Sequence, residues 1–167
     1  MKKLFFLFVV FFSLKGAASD PSINSVRDLY QQAAAKEDLC KKLLTLLEPY
    51  NEKNNVLLAG YKGCATMLMA KYNFNPFSKL SNFIKGRNLL ERSIEVDKQN
   101  IELRFLRFAV QTNVPFFLGY KSAMHSDKVF LLNYYQTIPD AQLKHWLVNF
   151  LKTCGSLTTA EKQNLKE

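Results

Sequence analysis

The chain has 167 residues, a formal net charge of +9, 48% hydrophobic residues and 22% charged residues. That length supports one domain with a substantial core. No run of Lys and Arg exceeds two residues, which excludes a polybasic nucleic-acid arm; the excess charge marks either a basic soluble domain or attraction to an acidic partner, such as a phospholipid surface, an anionic glycan or an acidic protein.

The N-terminus has three parts. Met1-Lys2-Lys3 is a basic head, Leu4 to Phe12 is an unbroken apolar run, and Gly16-Ala17-Ala18-Ser19 supplies small residues. This is the layout of a secretory signal peptide over residues 1–18, and its apolar run is too short to span a bilayer. No Cys follows the small residues, so a lipoprotein cleavage site is not expected. The reading is of an exported protein, periplasmic or extracellular, with about 149 residues and a charge of about +6 once Lys2, Lys3 and Lys15 are removed. No transmembrane anchor is expected after cleavage, and export also argues against a nucleic-acid partner.

The rest of the chain carries apolar residues at helical spacing almost throughout. A first helix is predicted over about 22–35, with Ile23, Val26, Tyr30 and Ala33 on its inner stripe. A second begins near Lys36, turns Leu39, Leu43, Leu46 and Leu47 inward, and ends at Pro49 and the Asn-rich stretch after it. A third spans about 55–72, and Gly60 and Gly63 on one side of it suggest close approach of another backbone. Asn75-Pro76 opens the fourth, which runs to about Asp97 and is expected to bury Phe77, Leu80, Phe83, Ile84, Leu90 and Ile94. Asn100 caps a fifth helix that Pro115 stops. The segment Pro115 to Tyr120 reads as an apolar turn that plugs the core. Ser126 or Asp127 opens a sixth helix and Asp140 a seventh. Thr158 with Glu161 forms a capping-box pattern for a short last helix. The expected fold is a single all-α domain at 19–167, with seven to eight antiparallel-paired helices in a bundle or helical-hairpin stack.

Cys40, Cys64 and Cys154 cannot all pair within one chain. A Cys40–Cys64 bridge would join neighbouring predicted helices in an oxidising compartment, and three buried thiols are the alternative. No Cys-x-x-Cys spacing occurs and His125 and His145 stand apart, so neither a zinc site nor any cofactor is expected.

The fifth helix is apolar nearly all round, as a central helix should be. Arg104, Arg107 and Gln111 share one narrow stripe on it. Two guanidinium groups there need partners. They either pair with Glu91, Glu95 or Asp97 of the preceding helix, or face a groove and hold the carboxylate or phosphate of an acidic peptide or small anion, with Arg87 and Lys62 on the rim. Tyr61, Tyr72, Phe74 and Tyr120 either fill the core or form an aromatic contact patch. Catalytic sets are poorly represented. His125 with Asp127 has no assured geometry, Cys64 lies on an apolar face, and no Gly-x-Ser-x-Gly, His-Glu-x-x-His or phosphate-cradling glycine loop occurs. A hydrolase or thiol enzyme is therefore not expected.

Phe83 to Asn100 resembles the second helix and turn of a tetratricopeptide repeat, with Tyr61 and Ala65 loosely matching first-helix positions. The resemblance covers about 55–112. Lys98 stands where that family's turn has Pro, the fourth helix is long, and no period of about 34 residues repeats. It implies protein or peptide binding on a concave helical face. Asn75-Pro76-Phe77, Glu102 to Arg107 and Phe117 to Tyr120 also resemble a group of small exported bacterial helical proteins of unassigned function, which implies a fold and export only. The functional expectation is a non-enzymatic protein- or peptide-binding module, with a small anionic ligand or an anionic envelope component as the alternative partner.

Overall fold

The computed structural model describes residues 20–165, and the signal-peptide reading of residues 1–18 lies outside them. Eight α-helices and no strand occur among the described residues: α1 (Ile23–Ala33), α2 (Glu37–Leu47), α3 (Val56–Tyr72), α4 (Pro76–Val96), α5 (Ile101–Asn113), α6 (Met124–Tyr134), α7 (Ala141–Thr153) and α8 (Thr159–Gln163). Most helix starts are set by short polar side chains that satisfy free amides. Asn55 accepts from the Leu58 amide, Asn75 from Phe77 and Ser78, Asn100 from Leu103, and Asp140 from Leu143. Pro76 occupies the first turn of α4, where its missing N–H costs nothing. Thr158 and Glu161 complete a reciprocal capping box on α8.

The helices are joined in one domain by two buried clusters. The first gathers α1 to α4 around Leu43, Leu47, Tyr61 and Leu90. The second gathers α6, α7 and the leucines on either side of α8, Leu157 and Leu165, around Leu131, Leu147 and Leu151. Helix α5 belongs to both: Leu103 and Leu106 face the first, Phe105 and Phe108 the second. This explains its apolar circumference, since a helix between two cores has almost no solvent face. Trp146 of α7 packs against both clusters and stands edge-on to Phe105, with ring centroids 4.7 Å apart.

Helices α3 and α4 form the closest pair. Gly63 and Gly86 lie against each other, so a Cβ at Gly63 would meet Gly86 O at 2.7 Å and one at Gly86 would meet the Met67 amide nitrogen at 2.7 Å. Backbone cannot yield there as a side-chain tip can. Gly86→Ala is therefore expected to lower unfolding stability by about 1–3 kcal/mol through forced separation of the pair, although alanine is the better helix former by about 1 kcal/mol. Urea titration checks this, and a stabilised variant would show that the pair slides apart at little cost.

Four expectations need correction. On α2, Leu43 and Leu47 are buried and Leu39 partly so, but Leu46 is exposed rather than turned inward. Helix α6 begins at Met124, earlier than Ser126 or Asp127. Ser126 instead donates to the Ala123 carbonyl, and Asp127 is fully buried rather than a cap. The Pro115–Tyr120 segment does not plug the core as a whole. Tyr120 is buried, Leu118 is partly so, and Phe116 and Phe117 project into solvent, with Gly119 taking the left-handed φ of 62° that turns the chain. On α4, Phe83, Leu90 and Ile94 are buried as expected, but Phe77, Leu80 and Ile84 are exposed. They share one face that no helix covers.

Candidate binding groove

The arginine stripe meets carboxylates within the fold. Asp127 accepts from Arg104 Nε at 2.8 Å and from Arg107 Nε and Nη2 at 2.6 and 2.8 Å. Arg107 Nη1 also donates to Glu91 Oε2 at 2.7 Å, and the Tyr120 hydroxyl donates to the other oxygen of that carboxylate. Burial alone would lower the Arg107 pKa, but Asp127 and Glu91 together hold it above its ordinary value. The Arg104 guanidinium lies 4.0 Å from the Phe130 ring centroid, a cation–π contact. Gln111 is fully buried beyond them, and neither of its side-chain amide atoms has a hydrogen-bond partner among the described residues. Of the three anticipated acidic partners Glu91 is used, and Asp127, which carries most of the bonding, was not among them.

The proposed rim residues stand elsewhere. Lys62 Nζ donates to the carbonyls of Glu48 and Tyr50 at the end of α2, and Arg87 reaches Asn88 next to it. Neither shares a hydrogen-bond partner with the arginine pair. The aromatic set divides as well. Tyr61 and Tyr120 are buried, Tyr72 is partly buried and donates to Ala33 O at 2.7 Å, and Phe74 is fully exposed.

What the sequence does not reveal is an open groove of about 1230 Å³ between α1, α3, α4, α5 and α7. Its floor and walls carry Tyr30, Cys64, Met67, Leu68, Phe83, Val110, Trp146 and Phe150. Ala34 just after α1, Ala70 on α3 and Ala109 on α5 face it, and larger side chains there would fill much of the space. Leu80, Val114, Pro115, Phe117 and Leu118 continue the apolar lining toward the mouth. The charged side chains of the lining are two lysines, Lys71 and Lys79. Lys71 Nζ donates to Ala34 O at 2.8 Å, closing the α1 end, whereas the side-chain ammonium of Lys79 has no ion-pair or hydrogen-bond partner among the described residues.

One thiol and no histidine stand on the groove lining among the described residues. Cys64 on its floor is almost fully buried, near the Tyr30 hydroxyl, and burial pushes its thiol up to about 12, so the thiolate is scarce at neutral pH. All three cysteines are free thiols. The Cys40–Cys64 bridge is not formed, and Cys40 Sγ turns instead to the Ala65 carbonyl at 3.5 Å. His125 stands in the first turn of α6, outside the groove, and His145 Nε2 hydrogen-bonds with Asn149 at 2.8 Å. Among the described residues no group of three His, Cys, Asp or Glu side chains could hold a metal ion, and no helix is long and apolar enough to cross a membrane.

Comparison with protein-family models, with curated proteins and with solved structures returned no match.

Proposed function

We propose that this chain is an exported, non-enzymatic binding protein whose groove takes the tail of a single-chain anionic amphiphile, with the carboxylate or phosphate head ending at Lys79. The observation that carries this reading is the groove itself: a large apolar volume that the described residues leave unfilled in an otherwise packed fold, whose charged lining is basic. Interiors normally pack to crystal density, so such a volume is a binding-site candidate by default. An alkyl chain needs no polar partner inside it. An extended peptide would leave its backbone N–H and C=O groups against apolar walls at a cost of several kcal/mol.

The groove also contains its own reporter. Trp146 lines it and is the sole tryptophan of the chain. Titration with hexadecanoate below its micelle concentration is expected to shift Trp146 emission to the blue and to saturate. Lys79→Glu should weaken binding about threefold or more, as expected for loss and reversal of one exposed charge contact. Emission unmoved by hexadecanoate contradicts the reading.

One observation favours a second occupant. Phe77, Leu80 and Ile84 form an exposed stripe at i, i+3 and i+7 on α4, the pattern that receives a partner's amphipathic helix. This keeps the protein- or peptide-binding expectation in view, with acidic residues of the partner meeting the same lysines. An acidic amphipathic peptide that moves Trp146 emission where hexadecanoate does not would select it.

A further inference from the structure

Four phenylalanines stand around the mouth of the groove with little packed on them. Phe74 is 100% exposed, Phe77 84%, Phe116 85% and Phe117 83%. Phe74 and Phe77 flank Pro76, which lines the groove, and Phe117 lines it directly beside Phe116. The rings come from two separate elements, the α3–α4 corner and the turn after α5, so the fold gathers them at one rim. Clustered large aromatic side chains on a surface mark an interaction site.

The charge around these rings is mostly basic. Between Glu52 and Glu91 the chain carries Lys53, Lys62, Lys71, Lys79, Lys85 and Arg87 and no acidic residue. Between Glu102 and Asp127 the chain again carries no acid, and Lys121 is the base there that adds to the excess, since Arg104 and Arg107 are held by Asp127 and Glu91. Two carboxylates belong to the same end of the molecule. Glu37 and Asp38 at the start of α2 help raise the Tyr72 pKa, after burial, and Glu37 is already held by Lys41 at 2.8 Å.

We infer that this rim docks on an anionic membrane surface, with the phenylalanines entering the acyl–headgroup boundary and the lysines meeting the headgroups. Rings flanked by long basic side chains fit an interface where an apolar layer lies beneath a negative one. A second copy is the poorer occupant, because rim-to-rim docking would bring Lys71, Lys79 and Lys85 against themselves. The inference stands on the exposed rings and the one-sided charge, and holds whichever ligand fills the groove.

Co-sedimentation with phosphatidylcholine vesicles, with and without phosphatidylglycerol, tests it. The protein is expected to pellet with the anionic vesicles and to be released by salt, since the charge contribution is screened. The triple variant Phe74→Ser, Phe77→Ser, Phe116→Ser should lose about tenfold or more in vesicle affinity. None of these three side chains lines the groove and all are exposed, so the thermal midpoint and the hexadecanoate titration should stay at wild-type values. Failed vesicle binding beside an intact titration therefore overturns the docking inference and leaves the groove reading standing. A triple variant that pellets like wild type overturns it too. So does a solution dimer that the triple variant breaks while the wild type ignores vesicles, since the rim would then be a self-association surface.

Discussion

Arg27→Met is expected to lower the unfolding free energy by about 3–5 kcal/mol, a large share of the roughly 5–15 kcal/mol that holds a domain together. Arg27 is only 3% exposed and is bidentate on Glu102, with Nε and Nη2 each 2.7 Å from a carboxylate oxygen. Its Nη1 reaches Asp140 at 2.6 Å, and Tyr61 donates to Glu102 Oε1 at 2.5 Å. One side chain on α1 thereby ties α5 and α7, and α3 joins through the tyrosine. Burial alone would lower the Arg27 pKa, but the bonds to Glu102 and Asp140 outweigh it and hold it above its ordinary value. Methionine replaces the stem and leaves Glu102 buried without its charge partner, which is where most of the loss arises. Adding Glu102→Leu should recover much of it, because removing both charges is far cheaper than removing one. Thermal and urea unfolding of the single and double variants check this. A single variant within about 1 kcal/mol of wild type would mean that Glu102 reaches water when unpaired.

Asp127→Asn should come next, at about 3 kcal/mol. The shape is kept and the charge is lost. Asp127 is fully buried and accepts three hydrogen bonds from Arg104 and Arg107, whose side chains are 16% and 11% exposed. An asparagine offers one carbonyl oxygen where the carboxylate offered two, and its amide would point an N–H at a guanidinium. The loss is expected to stay below that at Arg27, since both arginines retain some solvent and Arg107 keeps Glu91. The contrast with the groove is informative. Hexadecanoate binding by the folded variant should be unchanged, because neither arginine lines the groove. A variant that folds with a wild-type midpoint yet loses binding would return the arginine stripe to the role of anion reader.

The legible parts of this chain are those written in local chemistry. Asn55, Asn75-Pro76, Asn100, Asp140 and the Thr158–Glu161 pair announce helix starts because a cap needs only residues within a turn of it. Of the two glycines read as a close backbone approach, Gly63 meets the backbone of Gly86, which carried no separate signal, whereas Gly60 faces the Leu103 side chain instead. Helix α5 announced its central place through its apolar circumference.

Arg27 was silent because its partners lie 75 and 113 residues away. Asp127 was misleading because an acid beside a serine at a helix start has the composition of a cap. The groove was hidden for a different reason. Phe77, Leu80, Phe83 and Ile84 fit one inward-facing pattern, yet only Phe83 is buried. Periodicity reports which side of a helix is apolar, not whether another element arrives to cover it. Alanines at 34, 70 and 109 decide that none fills the space, and three alanines on separate segments of the chain leave no pattern in the order of residues.

The groove and its rim suggest one economical arrangement: exposed rings and lysines at a membrane surface, and behind them an apolar space suited to an alkyl chain. The claim on which the account depends is that the groove buries such a chain. Calorimetric titration with octanoate, dodecanoate and hexadecanoate, each below its micelle concentration, tests it most directly. If the tail is buried, affinity should climb with length by up to about fourfold per methylene, the equivalent of about 0.8 kcal/mol each, until the groove is full. Affinity that is the same for all three acids, or absent for all, would contradict it.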